Sequence, residues 1–282
     1  MASIGINLWV WTAPINNSSL KLLNKVADMG FDTVELPLET LESLDAKKVA
    51  KKLKETGLKS TVCGAFSPDR DLTSDNAAYR AGSMKYIKGA LDFCAATGTR
   101  TLVGPMYSAV GKRRHVSPAQ KKLEWSLAVK GITEAAKYGA SIGVDLAIEP
   151  LNRFETDLVN TSAQCVKMVN DIGEKIVGVH LDTFHMGIEE KCQYTAIKLA
   201  GKKLFHIHVC ENDRGAPGSG QVDWECVAEA LKEIKFDREC VIESFTPKCI
   251  TIAAAAAIWR TFAPSQDALA TDGLKFLRKT LK

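Results

Sequence analysis

Eight times along its 282 residues the chain passes from a short apolar run into a longer amphipathic one. The apolar runs fall at 3–10, 32–37, 59–65, 100–106, 144–149, 176–182, 203–209 and 239–244, and each has the length of a β-strand. Between them lie stretches such as Ser19–Gly30, Asp45–Gly57, Asn76–Gly98, Ser117–Gly143, Ser162–Gly173 and Val222–Lys235. In the first of these, Leu20, Leu22, Leu23, Val26 and Ala27 recur at helical spacing. Gly30, Gly57, Gly98, Gly143 and Gly173 stand just past the last periodic position, where a left-handed cap favours glycine. Strands this apolar are buried on both faces, as in a parallel sheet. Eight βα repeats therefore read as a (β/α)8 barrel, with a doubly wound open sheet as the alternative. No linker or composition break divides the chain, so one domain is expected over 1–282.

Composition narrows the classes. Hydrophobic residues at 46 % and charged residues at 25 % are ordinary for a globular chain, and a net charge of +4 is mild at this length. The one basic cluster, Lys112-Arg113-Arg114, reads as a solvated loop rather than a nucleic-acid patch. Eight scattered cysteines include no C-x-x-C pair, which argues against a structural zinc site, and a core of this size needs no disulfide staples. Reduced thiols in a cytoplasmic protein are expected, since no leader-like start and no run of about 18 apolar residues is present. The run Ala253–Ala257 reads as helix interior.

The last four strands carry the chemistry. The segments VDLAIEP (144–150), IVGVHLD (176–182), KLFHIHV (203–209) and ECVIES (239–244) place Glu149, Asp182, His208 and Glu243 at or one short of their C-terminal ends. A carboxylate in such a strand must be hydrogen-bonded, paired or metal-bound, because an isolated buried charge is too unfavourable. Barrel chemistry is placed at the C-terminal strand ends, and strands about 4.8 Å apart let neighbouring side chains converge on one cation. Three carboxylates and an imidazole favour Mn²⁺, Mg²⁺ or Co²⁺ over sulfur-liganded zinc. The competing reading is four separately satisfied polar groups in the barrel interior. His206 and His208 point to one face of their strand, and His208, nearer the end, is the expected ligand. His206, like His180 beside Asp182, is expected to be a buried, hydrogen-bonded core histidine. His185 leaves strand six either as a plain loop residue or as a substrate contact.

Longer motifs surround these residues. Glu149-Pro-Leu-Asn-Arg-Phe-Glu155, His180-Leu-Asp-Thr-Phe-His-Met186 with Ile188-Glu-Glu190, and His206-Ile-His208 through Glu211, Arg214, Pro217, Gly218 and Gly220 are long and ordered. Together with Ile258-Trp259-Arg260 they resemble the D-tagatose/D-psicose (allulose) 3-epimerase family, along essentially the whole chain and most strongly from Asp145 onward. The resemblance implies a xylose-isomerase-like TIM barrel and a ketose 3-epimerase that uses one divalent ion, Mn²⁺ before Co²⁺ or Mg²⁺. It implies that Glu149, Asp182, His208 and Glu243 hold the ion, that Glu149 and Glu243 are also the two acid/base carboxylates, and that Glu155, His185 and Arg214 hold the O1–O3 end of a ketose. Trp11, Cys63 and Phe245 complete the expected substrate contacts, although Trp11 and Phe245 read equally well as plain barrel packing. A homodimer or homotetramer is implied, with no nucleic-acid or membrane partner.

The chemistry asks for such a set. Epimerising C3 removes a proton beside the C2 carbonyl and returns one from the other face, so one base is needed on each side, and a chelated cation stabilises the enediolate. Arg214 offers a planar fork of donors, within a glycine-rich segment that is either a lid or an ordinary turn. Departures from the family pattern bear on specificity. Asn7 stands where an aromatic residue is usual, Tyr107-Ser-Ala-Val110 lacks a Trp, and Ser244-Phe245 replaces Pro-Phe, as in the L-ribulose 3-epimerase branch. A permissive pocket is expected, accepting L-ribulose, D-allulose/D-fructose or D-tagatose. An aldose–ketose or hydroxypyruvate isomerase could use the same residues, although the pairing of Glu155 with Arg214 favours the epimerase. A nuclease of endonuclease IV type needs more histidines than the five present, and a binding protein without activity would be expected to lack one of the four metal residues.

Overall fold

The computed structural model describes residues 2–281. Eight strands, β1 (Ser3–Asn7), β2 (Thr33–Leu38), β3 (Lys59–Gly64), β4 (Thr101–Gly104), β5 (Asp145–Ile148), β6 (Val177–Asp182), β7 (Leu204–His208) and β8 (Glu239–Ile242), form a closed barrel in chain order. Every pairing is parallel, including β8 onto β1, so the open-sheet alternative is excluded. The helices are α1 (Leu22–Asp28), α2 (Ala46–Thr56), α3 (Ala77–Thr97), α4 (Pro118–Ile142), α5 (Ser162–Ile172), α6 (Thr183–Glu189), α7 (Gln193–Ala200), α8 (Trp224–Glu233), α9 (Ile250–Ala255) and α10 (Gln266–Thr280).

Local chemistry sets these boundaries. The side chains of Asp45, Asn76, Ser117, Thr161, Asp223 and Ser265 each accept a backbone N–H in the first turn of the helix that follows. All five glycines expected as caps have positive φ, from 71° to 90°. Three expected spans are shorter than their apolar runs. The first strand stops at Asn7, because the Asn7 side chain accepts the Trp9 N–H at 2.8 Å and turns Leu8–Val10 into a 3-10 helix. The fourth stops at Gly104, whose φ of 130° precedes Pro105, a residue with no N–H for the ladder. The alanine run leaves the helix after Ala255, and Ala257 has a φ of 55°.

A bulge prepares the site. The β6–β7 register pairs Val179 with Leu204 but His180 with His206, leaving Phe205 unpaired. The Phe205 ring lies under the Arg238 guanidinium at 3.9 Å, and a Cβ at Gly178 would meet it at 2.2 Å, so only glycine fits there. His206 and His208 are left fully buried inside the barrel.

The basic cluster lies in an exposed loop, as its composition suggests, but two of its three charges are ion-paired. The Lys112 side chain is 12 % exposed and its ammonium contacts Asp71 at 2.7 Å. Arg114 pairs with Glu124 at 2.9 Å and Asp157 at 3.2 Å, and Lys121 pairs with Asp157 at 2.7 Å. Arg113 and Arg114 are both exposed, and Arg114 is held at the surface by its two acidic partners. Three loops at the C-terminal end of the barrel are thereby clamped together. One of them carries Glu155, whose carbonyl accepts the Gly111 N–H.

Candidate metal centre and active site

Glu149, Asp182, His208 and Glu243 meet at the C-terminal mouth of the barrel, each at least nine-tenths buried. His208 is the hub. Its Nδ1 lies 3.4 Å from Glu243 Oε2, 3.8 Å from Asp182 Oδ2 and 4.0 Å from Glu149 Oε1, and makes no hydrogen bond. Ligand atoms of Glu149, Asp182 and His208 lie within 4.8 Å of one another, as do those of Glu35, His208 and Glu243. Donors at metal–ligand distances of about 2.0–2.6 Å stand some 3–4 Å apart from each other, the spacing found here.

The donor set fits a divalent cation on charge as well. Four buried carboxylates, those of Glu35, Glu149, Asp182 and Glu243, face one guanidinium, that of Arg214. Acidic groups thus outnumber the basic ones around them, and no sulfur ligand belongs to any of these clusters.

Electrostatics divide the carboxylates into two kinds. Burial pushes the Glu149 carboxyl up, the Glu243 and Asp182 charges add to this, and the opposing pull of His208 and Arg214 leaves it well above the usual range. Asp182 is equally buried, but Arg214, His185 and His208 bring it down to about 2. Asp182 also accepts the Phe184 N–H at 2.7 Å and so caps α6. Burial opposes a charge on His208, yet Glu243 and Glu35 together hold its ring well above the ordinary histidine value.

The expected sugar-binding residues gather at the same mouth. Arg214 donates from Nη1 to Asp182 at 2.5 Å and lies 3.1 Å from Glu243. Its backbone sits in the left-handed region, with φ 69°, a conformation non-glycine residues hold only when their surroundings enforce it. Two contacts do so: the Arg214 N–H donates to the Glu211 carbonyl, and the Arg214 carbonyl accepts from Ser244 Oγ at 2.6 Å. Glu211 organises the rest of the loop by accepting from the N–H groups of Gly218 and Val222 and from the Trp224 indole. Gly218 packs so tightly on Phe276 of α10 that a Cβ would meet the ring at 2.4 Å. The Arg214 loop is thus braced at both ends.

His185 has a defined tautomer. Its Nδ1 accepts the Asn152 backbone N–H at 3.2 Å, so in the neutral ring Nε2 carries the proton. Burial lowers the His185 pKa, and Nε2 faces Glu149 and Asp182 at 3.7 and 3.9 Å as a neutral donor. Glu155 accepts from Asn152 Nδ2 at 2.8 Å and, through its charge, raises both His185 and Arg214. Cys63 is buried, and burial with the charges of Glu35, Glu243 and Glu149 raises its thiol. Phe245 stacks at 5.8 Å on Trp9, whereas the Trp11 indole turns to Asp267 of α10 at 2.6 Å. The indole beside Phe245 is therefore Trp9.

His180 and His206 are fully buried as expected, but their hydrogen bonds are missing. Neither ring nitrogen of His180 has a partner, and its ring packs edge-on against His206 and His208 at 4.7 and 4.2 Å. His206 Nε2 approaches Glu35 Oε2 at 3.1 Å outside good hydrogen-bond geometry. The residue sequence reasoning missed is Glu35, inside the apolar run Thr33–Leu38. A lone carboxylate within a strand buried along its whole length was the available signal.

Fold and site together define a class. Residues 23–280 match the family described as the xylose isomerase-like TIM barrel. A Synechocystis sp. protein named a probable ketose 3-epimerase is 33 % identical over 280 residues, covering 98 % of this chain and 96 % of its own. The D-psicose 3-epimerase of Agrobacterium fabrum is 32 % identical over 253 residues, covering 89 % and 87 %. A solved structure of L-ribulose 3-epimerase superposes with a TM-score of 0.94 at 29 % identity, covering 100 % of this chain and 95 % of that one. The chain belongs to the ketose 3-epimerases of this barrel family, enzymes of the isomerase class.

Proposed function

We propose that this protein is a metal-dependent ketose 3-epimerase acting on free ketoses, among them L-ribulose, D-allulose/D-fructose and D-tagatose. The observation that carries the reading is the convergence of Glu149, Asp182, His208 and Glu243 around an unpartnered His208 Nδ1, with negative charge in excess. These four residues would hold the ion, and Mn²⁺ suits their oxygen-rich set, with Co²⁺ or Mg²⁺ as alternatives. When bound, the ion supplies Lewis-acid stabilisation to the charge that develops on the ketose O2. Names borne by the relatives, D-psicose and L-ribulose 3-epimerase, support the substrate class.

The proton transfers belong to the chain's own side chains. One of Glu149 and Glu243 removes the C3 proton, the C–H electron pair forms the C2–C3 double bond of an enediolate, and the other carboxyl delivers a proton to the opposite face. The raised Glu149 carboxyl fits a group that must both carry and release a proton. His185, through its Nε2–H, and Arg214, through its guanidinium, donate to the O1–O3 end, and Glu155 accepts from it. Phe245 and Cys63 face the sugar carbons, and a pocket with Asn7 and Ser108 in place of aromatic residues leaves room at the C4–C6 end.

Chelator-stripped protein is expected to lose activity and regain it with Mn²⁺ or Co²⁺. In deuterated water, D-fructose or L-ribulose should take up label at C3. Label mainly at C1 or C2 would replace the epimerase with an aldose–ketose isomerase. A homo-oligomer is part of this reading, supported by the outward-facing Phe154, Ile250 and Trp259, from 63 % to 82 % exposed, and checked by sedimentation. No described helix is long and apolar enough to cross a membrane, and all eight cysteines are free, which supports a reducing, cytoplasmic setting.

A further inference from the structure

Glu35 lies on β2, across the barrel from β7, and is fully buried. Its Oε1 accepts from Asn7 Nδ2 at 2.9 Å and contacts His208 Nε2 at 2.6 Å. Its Oε2 accepts from Thr61 Oγ1 at 2.8 Å and is 3.1 Å from His206 Nε2. Three hydrogen bonds thus hold one carboxylate, with the His206 ring against its remaining side, which ties it to the protein rather than to a cation. The carboxylate that accepts from Asn7 and Thr61 also accepts from His208 Nε2, so Nε2 carries the N–H and Nδ1 is left to face Glu149, Asp182 and Glu243.

We propose that Glu35 is the positioning residue of the metal centre, gripping His208 by Nε2 and so fixing both the tautomer and the angle at which Nδ1 meets the cation. The inference rests on the metal reading above and adds a residue outside the ligand set. Asn7 and Thr61 are part of the same device. Register pairs both of them with Glu35, so the three strands β1, β2 and β3 present one braced carboxylate to the His208 ring. In this chain the position-7 side chain is thereby committed to the metal support and to the Trp9 turn, not to the sugar.

The test is equilibrium binding of Mn²⁺ to stripped protein, with free ion followed by electron paramagnetic resonance. Glu35→Gln keeps the size of the side chain but turns an NH₂ toward one of its donors. Its Mn²⁺ affinity is expected to fall about 10–100-fold, the usual effect of losing a carboxylate behind a metal-bound histidine. The visible spectrum at saturating Co²⁺ should change too, since the ring is no longer held in one orientation. A merely structural Glu35 would lower the melting temperature of the metal-free protein and leave both readouts alone, and that result overturns the proposal. Should Glu35→Gln fail to fold, Thr61→Val decides: removing one donor should weaken Mn²⁺ binding roughly 2- to 10-fold, and wild-type affinity there overturns the proposal. If the unmutated protein binds neither Mn²⁺ nor Co²⁺, it is the metal reading of the site that falls.

Discussion

Two groups of charges lie at the same end of this barrel, and they are built on opposite plans. The rim clamp sets Asp71, Glu124 and Asp157 against Lys112, Arg114 and Lys121, three acids to three bases, with partners at 2.7 to 3.2 Å. The strand-end group sets Glu35, Glu149, Asp182 and Glu243 against Arg214 and the His208 ring, four acids to one guanidinium and one imidazole. It also contains orphaned ring nitrogens on His180, His206 and His208, whereas no clamp atom among the described residues is an orphan. A balanced cluster neutralises itself and serves to hold loops in place. An unbalanced one is complete only with a cation, and carboxyls pushed apart in pKa are the mark of a working site.

Neutralising one acid in each group should separate them most. Glu243→Gln is expected to lower kcat by about 10²–10⁴. It should leave the metal-free protein as stable as wild type or more so, because an excess buried charge is gone. Glu124→Gln removes a partner whose side chain is 1 % exposed and should destabilise the fold by about 3 kcal/mol, with kcat per folded molecule near wild type. Steady-state kinetics and urea unfolding measure both. Equal loss of stability in the two variants would erase the distinction.

Metal itself is the next lever. At an ion concentration about 100 times Kd, binding to the native state alone should add about 2.7 kcal/mol to unfolding. The gain should persist in Glu124→Gln and vanish in Asp182→Asn, since Asp182 faces His208 Nδ1 and the clamp does not. A gain of similar size in Asp182→Asn would place the ion elsewhere. Glu155→Gln tests the junction between the two regions, because its loop is pinned by the clamp while its carboxylate reaches the sugar-binding group. It is expected mainly to raise KM.

How much of this was legible beforehand follows the range of the interactions. Strands and helices announced themselves through local period and caps, and the four proposed ligands through their position at the ends of apolar runs. The resemblance then named the roles of Glu155, His185 and Arg214, whose spacing alone left them ambiguous. Glu35 escaped because its partners His206 and His208 lie more than 170 residues away across the barrel, a proximity no local pattern encodes. Trp9, which packs on Phe245, was passed over for a related reason: the apolar run extended through Val10, whereas one Asn7 side-chain hydrogen bond ended the strand and turned Leu8–Val10 into a 3-10 helix. The ion pairs of the Lys112 cluster were hidden from composition, since charge counts do not reveal that three acids from distant segments wait opposite.

Acid titration gives the smallest effect, and its sign differs between the two regions. Burial raises Asp157, but Lys121 and Arg114 outweigh it and bring the carboxyl below its ordinary value of 3.8. A folded pKa below the unfolded one means stability that is present above pH 3.8 and lost as pH falls through the folded value. Glu149 runs the other way in the metal-free protein. Its folded pKa lies above the ordinary 4.5, so its contribution is full below that pH and is lost as pH rises through the folded value. Urea midpoints of stripped protein, followed from neutral pH downward, should therefore lose their acid limb in Asp157→Asn and their decline toward neutrality in Glu149→Gln. If Asp157→Asn kept the full acid loss of wild type, the balanced clamp would not be its source, and the contrast between a self-neutralising cluster and one that waits for a cation would have to rest on the metal titration alone.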